Sequence, residues 1–169
     1  MKTLLPLSCA TRYRRRNGNP FNETVVLSYV DKGRVFYHDD DWNRLETNSA
    51  GFRRQFTPVI HDINDIIRLN KRAGQHFFDA DTLRAFNGRL YAPVYVDSGV
   101  YFVHSTRCTW GEYPRVYHVE KFDPDTGRIA TVDPDGNHFT TLARAETAAR
   151  AAAKTGEIPE GNTNSIGRE

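Results

Sequence analysis

The chain has 169 residues, of which 38% are hydrophobic, 12% aromatic and 26% charged, with a formal net charge of +2. This composition fits one domain or two very small ones, soluble and folded around an aromatic-rich core. Two cysteines without a CxxC pair exclude a disulfide framework and argue against a cysteine-based zinc site, and no apolar stretch approaches the roughly 20 residues of a membrane span.

Residues 1–59 read as a small β-rich module, for which we expect an SH3-like barrel. A strand over Val25–Val30 leads into an Asp31-Lys32-Gly33 turn and a returning strand from Arg34. The stretch from Asp39 to Ser49 is predicted to be a loop. Phe52 and Phe56 are four residues apart, so a helical turn before Pro58 would direct both rings to one core.

Residues 60–155 read as an α+β domain that begins with two helices. Ile63, Ile66, Ile67 and Asn70 form the predicted buried stripe of the first helix, with Asp62 at its N-terminus and Gly74 after its end. Asp79 is the predicted N-cap of a second, shorter helix.

A four-stranded antiparallel meander and a helix complete this domain. The predicted strands are Leu90–Val96, Val100–Ser105, Arg115–Phe122 and Arg128–Val132. The second strand is apolar on both faces, so we expect one face to meet helices and the other to meet a partner or the first module. An alanine-rich helix follows over Ala143–Lys154, and residues 156–169 read as a mobile tail.

The run of basic residues near the N-terminus is the most distinctive local feature. Residues 1–59 carry 10 Lys/Arg against 6 Asp/Glu, and the cluster consists of Arg12, Tyr13, Arg14, Arg15 and Arg16. Together with Arg53 and Arg54 it could contact phosphates, with Tyr13 stacking on a base. The alternative is a strand in which Tyr13 faces the core and the arginines face solvent or an acidic partner.

Exposed aromatic residues beside charges form the second candidate group. Trp42 follows three consecutive aspartates, and Trp110 and Tyr113 lie in a long loop between two predicted strands. Aromatic and arginine side chains are the usual anchors of protein interfaces, so we include these three residues in a partner-binding or nucleic-acid-binding surface.

No metal or cofactor site is predicted. Consecutive carboxylates such as Asp39–Asp41 rarely point at one ion unless a turn collects them, so a solvated loop is expected there. The Asp133–Asn137 turn lacks the spacing of a calcium loop. His104 and His118 lie on neighbouring predicted strands and could meet across the sheet. They are the candidate centre of an enzyme without a recognisable motif.

Two sets of segments resemble known proteins. The residues from Arg14 to Gly18, Val25 to Val30, Gly33 to Tyr37 and Phe52 to Val59 resemble a family of very short prophage-encoded proteins of unknown function. The residues from Gly74 to Arg84, Gly99 to Val103 and Tyr117 to Asp125 resemble small phage and actinobacterial proteins, also uncharacterised. The resemblance implies a phage or mobile-element source and supplies no catalytic residues.

The leading hypothesis is therefore a non-enzymatic phage accessory protein in the bacterial cytoplasm that binds and inhibits a host component, as a monomer or homodimer. A defence complex such as a CRISPR effector is the expected target. The alternative is a nucleic-acid-binding module that uses the arginine-rich N-terminal face. An enzyme centred near His104 and His118 is the third hypothesis.

Overall fold

The computed structural model describes residues 4–8, 11–16, 24–85, 89–96, 98–107, 114–132 and 138–157. Within these ranges the chain forms two antiparallel β-sheets and four α-helices. The predicted α+β class is confirmed. The predicted tail lies outside the described residues from position 158 onward.

The first sheet has five strands in the order β4-β3-β2-β1-β5. The strands are β1 (Arg12–Arg15), β2 (Thr24–Asp31), β3 (Arg34–Asp39), β4 (Arg44–Asn48) and β5 (Phe56–Pro58), with helix α1 (Ser49–Gln55) between the last two. β2 and β3 form the predicted hairpin. Its turn contains Gly33 at a φ of 81°, a left-handed conformation that glycine adopts at no steric cost.

The core under this sheet is aromatic, and α1 supplies its centre. Phe52 and Phe56 are 0% and 2% exposed, and their ring centroids are 4.9 Å apart, as their spacing predicts. Tyr13 and Tyr37 meet Phe52 edge-on at 5.0 and 5.2 Å. Edge-to-face contacts of this kind are favourable, and they fix α1 against one face of the sheet.

Two predictions for the first module need correction, and the predicted helix before Pro58 is present. The SH3-like barrel is not confirmed, because β4 and β5 lie at opposite edges and no closed barrel is found among the described residues. The stretch from Asp39 to Ser49 holds strand β4 in place of a plain loop. The helix ends at Gln55, and Pro58 lies in β5, where an edge strand tolerates proline.

Two helices connect the sheets, α2 (Ile63–Arg72) and α3 (Ala80–Ala85). The carboxylate of Asp62 accepts hydrogen bonds from the Asn64 and Asp65 N–H groups, which confirms the predicted cap. The buried stripe of α2 passes through Ile66, Leu69 and Asn70. Ile63 is 37% exposed, so its inclusion in that stripe was wrong.

The second sheet confirms all four predicted strands. They are β6 (Leu90–Val96), β7 (Gly99–Arg107), β8 (Arg115–Asp123) and β9 (Arg128–Thr131), paired in chain order and followed by helix α4 (Leu142–Thr155). Strand β7 is buried on both faces, as predicted.

Helices of the same chain cover both faces of β7. Phe102 packs with Ile66 and Leu69 of α2 on one side. Val103 packs with Ala145 and other small residues of α4 on the other, where alanines allow close approach to the sheet. The expectation for β7 is therefore confirmed in part: helices cover both faces, and on the α2 side Leu5 of the first module packs beside Phe102 as well.

The two sheets contact each other through the N-terminal segment and the β8–β9 turn. Leu5 is 7% exposed within the core of the second sheet, and its N–H donates to the Asp125 carbonyl at 2.8 Å. Arg53 donates to the Leu5 carbonyl from the other side at 2.5 Å. Among the described residues, no helix has the length and apolar character needed to cross a membrane.

Candidate functional site

The face of the first sheet that points away from α1 carries an exposed aromatic pair; we call this side the outer face. Side chains alternate along a strand, so β3 directs Val35 and Tyr37 to the core and Phe36 and His38 to the outer face. Tyr29 of β2 pairs with Phe36, and their rings stack at 4.4 Å with planes 17° apart. Tyr29 is 52% exposed, so this stack is accessible.

Trp42 extends the aromatic surface at the β3–β4 turn. Its side chain is 78% exposed, the highest value among the large hydrophobic residues described. Its ring meets that of His38 edge-on at 4.4 Å. Its φ of 65° is uncommon outside glycine, and its N–H donates to the Asp39 carbonyl at 3.1 Å.

Asp39 holds this turn in shape. Its carboxylate accepts hydrogen bonds from the Asp41 N–H, the Asn43 N–H and the Asn43 side-chain amide, at 3.0, 2.9 and 2.9 Å. The side-chain bond from Asn43 and these backbone bonds lower the pKa of Asp39. The turn that presents Trp42 is thus ordered by its own sequence before any partner binds.

Charges of both signs surround the outer face. Arg34 forms an ion pair with Glu46, and its guanidinium lies 6.0 Å from the centre of the Phe36 ring. Arg12 pairs with Asp40 at 2.8 Å. Hydrogen bonds from Thr24 and Arg12 lower the pKa of Asp40. The rim of the aromatic surface is therefore mixed in charge and not uniformly basic.

The structure does not gather the N-terminal arginines into one positive face. Arg14 donates to the Val96 carbonyl at 3.1 Å, toward the second sheet. Arg16 bonds both carboxylate oxygens of Asp125 at 2.6 and 2.5 Å and also donates to the Arg53 and Phe56 carbonyls. These arginines join the two sheets.

The remaining members of the predicted site are dispersed. Arg15 lies over the ring of Phe56 at 5.4 Å, and Arg54 is exposed on α1. Tyr13 is 4% exposed in the core, so its ring is not presented to a ligand, and burial raises the pKa of its hydroxyl. Trp110 and Tyr113 lie outside the described residues. Of the predicted aromatic anchors, Trp42 is the one that the described structure places at the surface.

Three residues of the outer face were not predicted as site residues, namely Tyr29, Phe36 and His38. Their signal was available, because Tyr29 and Phe36 flank the predicted Asp31-Lys32-Gly33 turn. Alternation from the apolar Val35 and Tyr37 assigns Phe36 to the opposite face. A bulge between Leu27 and Tyr29 shifts the register of β2, which hides the pairing of Tyr29 with Phe36.

The predicted meeting of His104 and His118 is confirmed. They are paired across β7 and β8, and their rings stack at 5.0 Å. His104 Nε2 lies 3.0 Å from Glu120 Oε1, and that oxygen also accepts a hydrogen bond from Thr131 at 3.2 Å. His104 and Glu120 are 9% and 5% exposed, so they form a buried polar cluster on the second sheet.

Burial lowers the pKa of His118, and the neighbouring His104 and His138 act in the same direction, while Glu120 opposes them. No group of three or more His, Cys, Asp or Glu side chains in the described part of the chain is arranged to hold a metal ion. The cluster is the site on which the enzymatic hypothesis depends.

The class of protein defined here is a two-sheet α+β protein with an exposed aromatic face on its first sheet. The chain belongs to a family of unknown function, DUF7447, whose model matches residues 62–150. The match runs from α2 into α4, so the outer face of the first sheet lies before it. No curated protein and no solved structure matches the chain.

Proposed function

We propose that the protein is a non-enzymatic accessory protein that binds another protein through the outer face of its first sheet. The observation that carries this proposal is Trp42, a tryptophan 78% exposed on a turn that Asp39 already orders. Exposing a large aromatic side chain in a fixed conformation has no benefit for folding. A turn that is already ordered does, however, lower the conformational entropy that is lost when a partner binds.

The composition of the surface favours a protein partner. Tyr29, Phe36 and Trp42 supply the aromatic anchors that dominate binding energy at protein interfaces. The ion pairs Arg34–Glu46 and Arg12–Asp40 supply a polar rim of both signs, as such interfaces have.

As the class of partner we propose a bacterial defence complex of the CRISPR-effector type, with the protein acting as its inhibitor in the host cytoplasm. The support is the resemblance of both modules to phage-encoded proteins. For the first sheet we propose an open form of the SH3-like barrel. The support is its strand order, in which the last strand pairs with the first and leaves β4 and β5 as the two edges that a barrel would join.

The test is an affinity pull-down from bacterial lysate after nuclease treatment, with the wild type and Trp42→Ala compared for the partner retained. If Trp42 is an anchor, its removal costs about 2 kcal/mol of binding free energy, a loss of affinity of about 30-fold. Ile63→Ala is the matched control, since Ile63 is also a large apolar side chain and is 37% exposed on α2.

Wild-type protein that retains no partner contradicts the proposal, and so does a partner retained equally by Trp42→Ala. The proposal predicts loss with Trp42→Ala and full retention with Ile63→Ala. Circular dichroism of both variants verifies that each keeps the wild-type fold.

A single-stranded nucleic acid is the second candidate ligand. The observation that favours it is the stacked pair Tyr29 and Phe36 on an open sheet face, because bases stack on such aromatic platforms. This alternative predicts that recovery collapses after nuclease treatment and that affinity falls steeply with salt concentration. Retention after nuclease with little dependence on salt excludes it.

A further inference from the structure

Strand β4 is an open edge of the first sheet. It is last in the strand order, and none of the described strands lies beyond it. Four of its five residues are exposed, including Leu45 at 41%. An exposed strand edge carries unpaired backbone donors and acceptors and is a ready template for another strand.

The hydrogen bonds at the two ends of β4 show which backbone groups point outward. The Asp39 N–H donates to the Asn43 carbonyl, and the Ser49 N–H donates to the Gly33 carbonyl. Alternate residues of an antiparallel strand bond to the same neighbour, so the odd-numbered residues of β4 face β3. Arg44 and Glu46 therefore direct their N–H and C=O groups away from the sheet.

The sequence of β4 complements itself in one antiparallel register. With a two-fold axis at Leu45, Arg44 of each copy lies opposite Glu46 of the other. Each such pair exchanges two backbone hydrogen bonds and brings opposite charges together on the outer face. The two Leu45 side chains, exposed in one copy, meet at the axis.

The neighbouring register is disfavoured by charge. An axis at Glu46 would set the two Glu46 carboxylates directly opposite each other, and like charges in that position are destabilising. Glu46 already pairs with Arg34 of its own chain, and its second oxygen can accept a further donor.

We propose that β4 is a self-association edge, at which a second copy of this chain adds its own β4 in the register centred on Leu45. The result is a two-fold symmetric dimer with a continuous ten-stranded sheet. The axis is perpendicular to that sheet, so the two outer faces lie on the same side. This inference rests on the edge alone and does not depend on the proposed function, although it would make the proposed binding surface bivalent.

The test measures molecular mass in solution by sedimentation velocity from about 10 μM to about 1 mM, a range suited to a weak edge contact. Arg44→Glu and Glu46→Arg each place like charges opposite each other and are expected to weaken the dimer at least about 10-fold. The double variant R44E/E46R restores opposite charges across the axis. It loses the Arg34 ion pair just as Glu46→Arg does, so it is compared with that single variant and is expected to dimerise at least about 10-fold more tightly.

Two further variants keep the result interpretable. Lys71→Glu is an equal charge reversal on the exposed surface of α2 and should dimerise as the wild type does. Leu45→Lys places two like charges at the axis and should give a monomer with an unchanged circular dichroism spectrum.

Three results would overturn the proposal. They are a wild type that stays monomeric at every concentration, a dimer unaffected by the single charge reversals, and a double variant that dimerises no more tightly than Glu46→Arg.

Discussion

At the scale of single residues, the exposed Trp42 is the residue on which the proposed function depends. Trp42 could be singled out from the sequence because a tryptophan beside three aspartates is rarely buried. The turn that holds it could not, because it depends on Asp39 accepting hydrogen bonds from residues two and four positions later. Arg12 pairs with Asp40, one of those aspartates, so its guanidinium has a partner within the fold.

His118 should make the stability of the fold depend on pH. Its folded pKa is lowered by burial, so below about pH 6.5 the unfolded chain binds a proton more readily than the folded chain does. The free energy of unfolding contributed by His118 is present above that pH and is lost as the pH falls through the folded pKa. The measurement is urea unfolding at several pH values between about 7 and 5.

The variant that isolates this contribution is His118→Gln. It keeps a polar side chain beside His104 and Glu120 but does not titrate, so its stability should fall less steeply with decreasing pH than that of the wild type. His61→Gln, at an exposed histidine before α2, should leave the wild-type slope unchanged. Equal slopes for His118→Gln and the wild type would refute this assignment.

At the level of elements, the second sheet was predictable and the edges of the first sheet were not. Strands β6 to β9 and helix α4 have strong apolar patterns bounded by turn residues, and each forms close to its predicted limits. Strand β4 carries one apolar side chain among charged and polar ones, and four of its five residues are exposed. A strand without a buried face has no hydrophobic alternation by which to detect it.

The helix stripe shows a different limit of sequence patterns. Ile63 has the correct spacing to Ile66 and Ile67, yet it lies in the first turn of α2, where the sheet does not cover it. Leu69 takes the buried position because it lies beside Leu5 and the β8–β9 turn. Which side of a helix is covered depends on segments distant in the chain, and periodicity alone does not reveal them.

At the scale of the whole molecule, arginines that could have served a ligand join the two sheets instead. Arg16 is the centre of this contact, since it bonds the Asp125 carboxylate and two carbonyls near α1. Its side chain is 26% exposed and that of Asp125 is 27% exposed, so water screens the pair only in part.

Arg16→Ala should therefore lower the free energy of unfolding by about 2 kcal/mol, because it leaves a carboxylate and two carbonyls without their charged donor. Arg68→Ala is the matched control. Its ion pair with Asp65 joins residues three positions apart on one helix, and the Arg68 side chain is 52% exposed, so the pair should contribute less than about 0.5 kcal/mol. Urea unfolding of both variants makes the comparison, and equal losses would show that Arg16 does not hold the sheets together.

The central claim is that the outer face of the first sheet is where a protein partner binds, and photo-cross-linking tests it most directly. A photoreactive phenylalanine analogue replaces Tyr29, which is 52% exposed on that face, or Tyr95, which is 43% exposed on the second sheet. Both proteins are irradiated in nuclease-treated bacterial lysate. We predict a cross-linked partner from position 29 and none from position 95. Cross-links from position 95 alone, or from neither position, would contradict the claim.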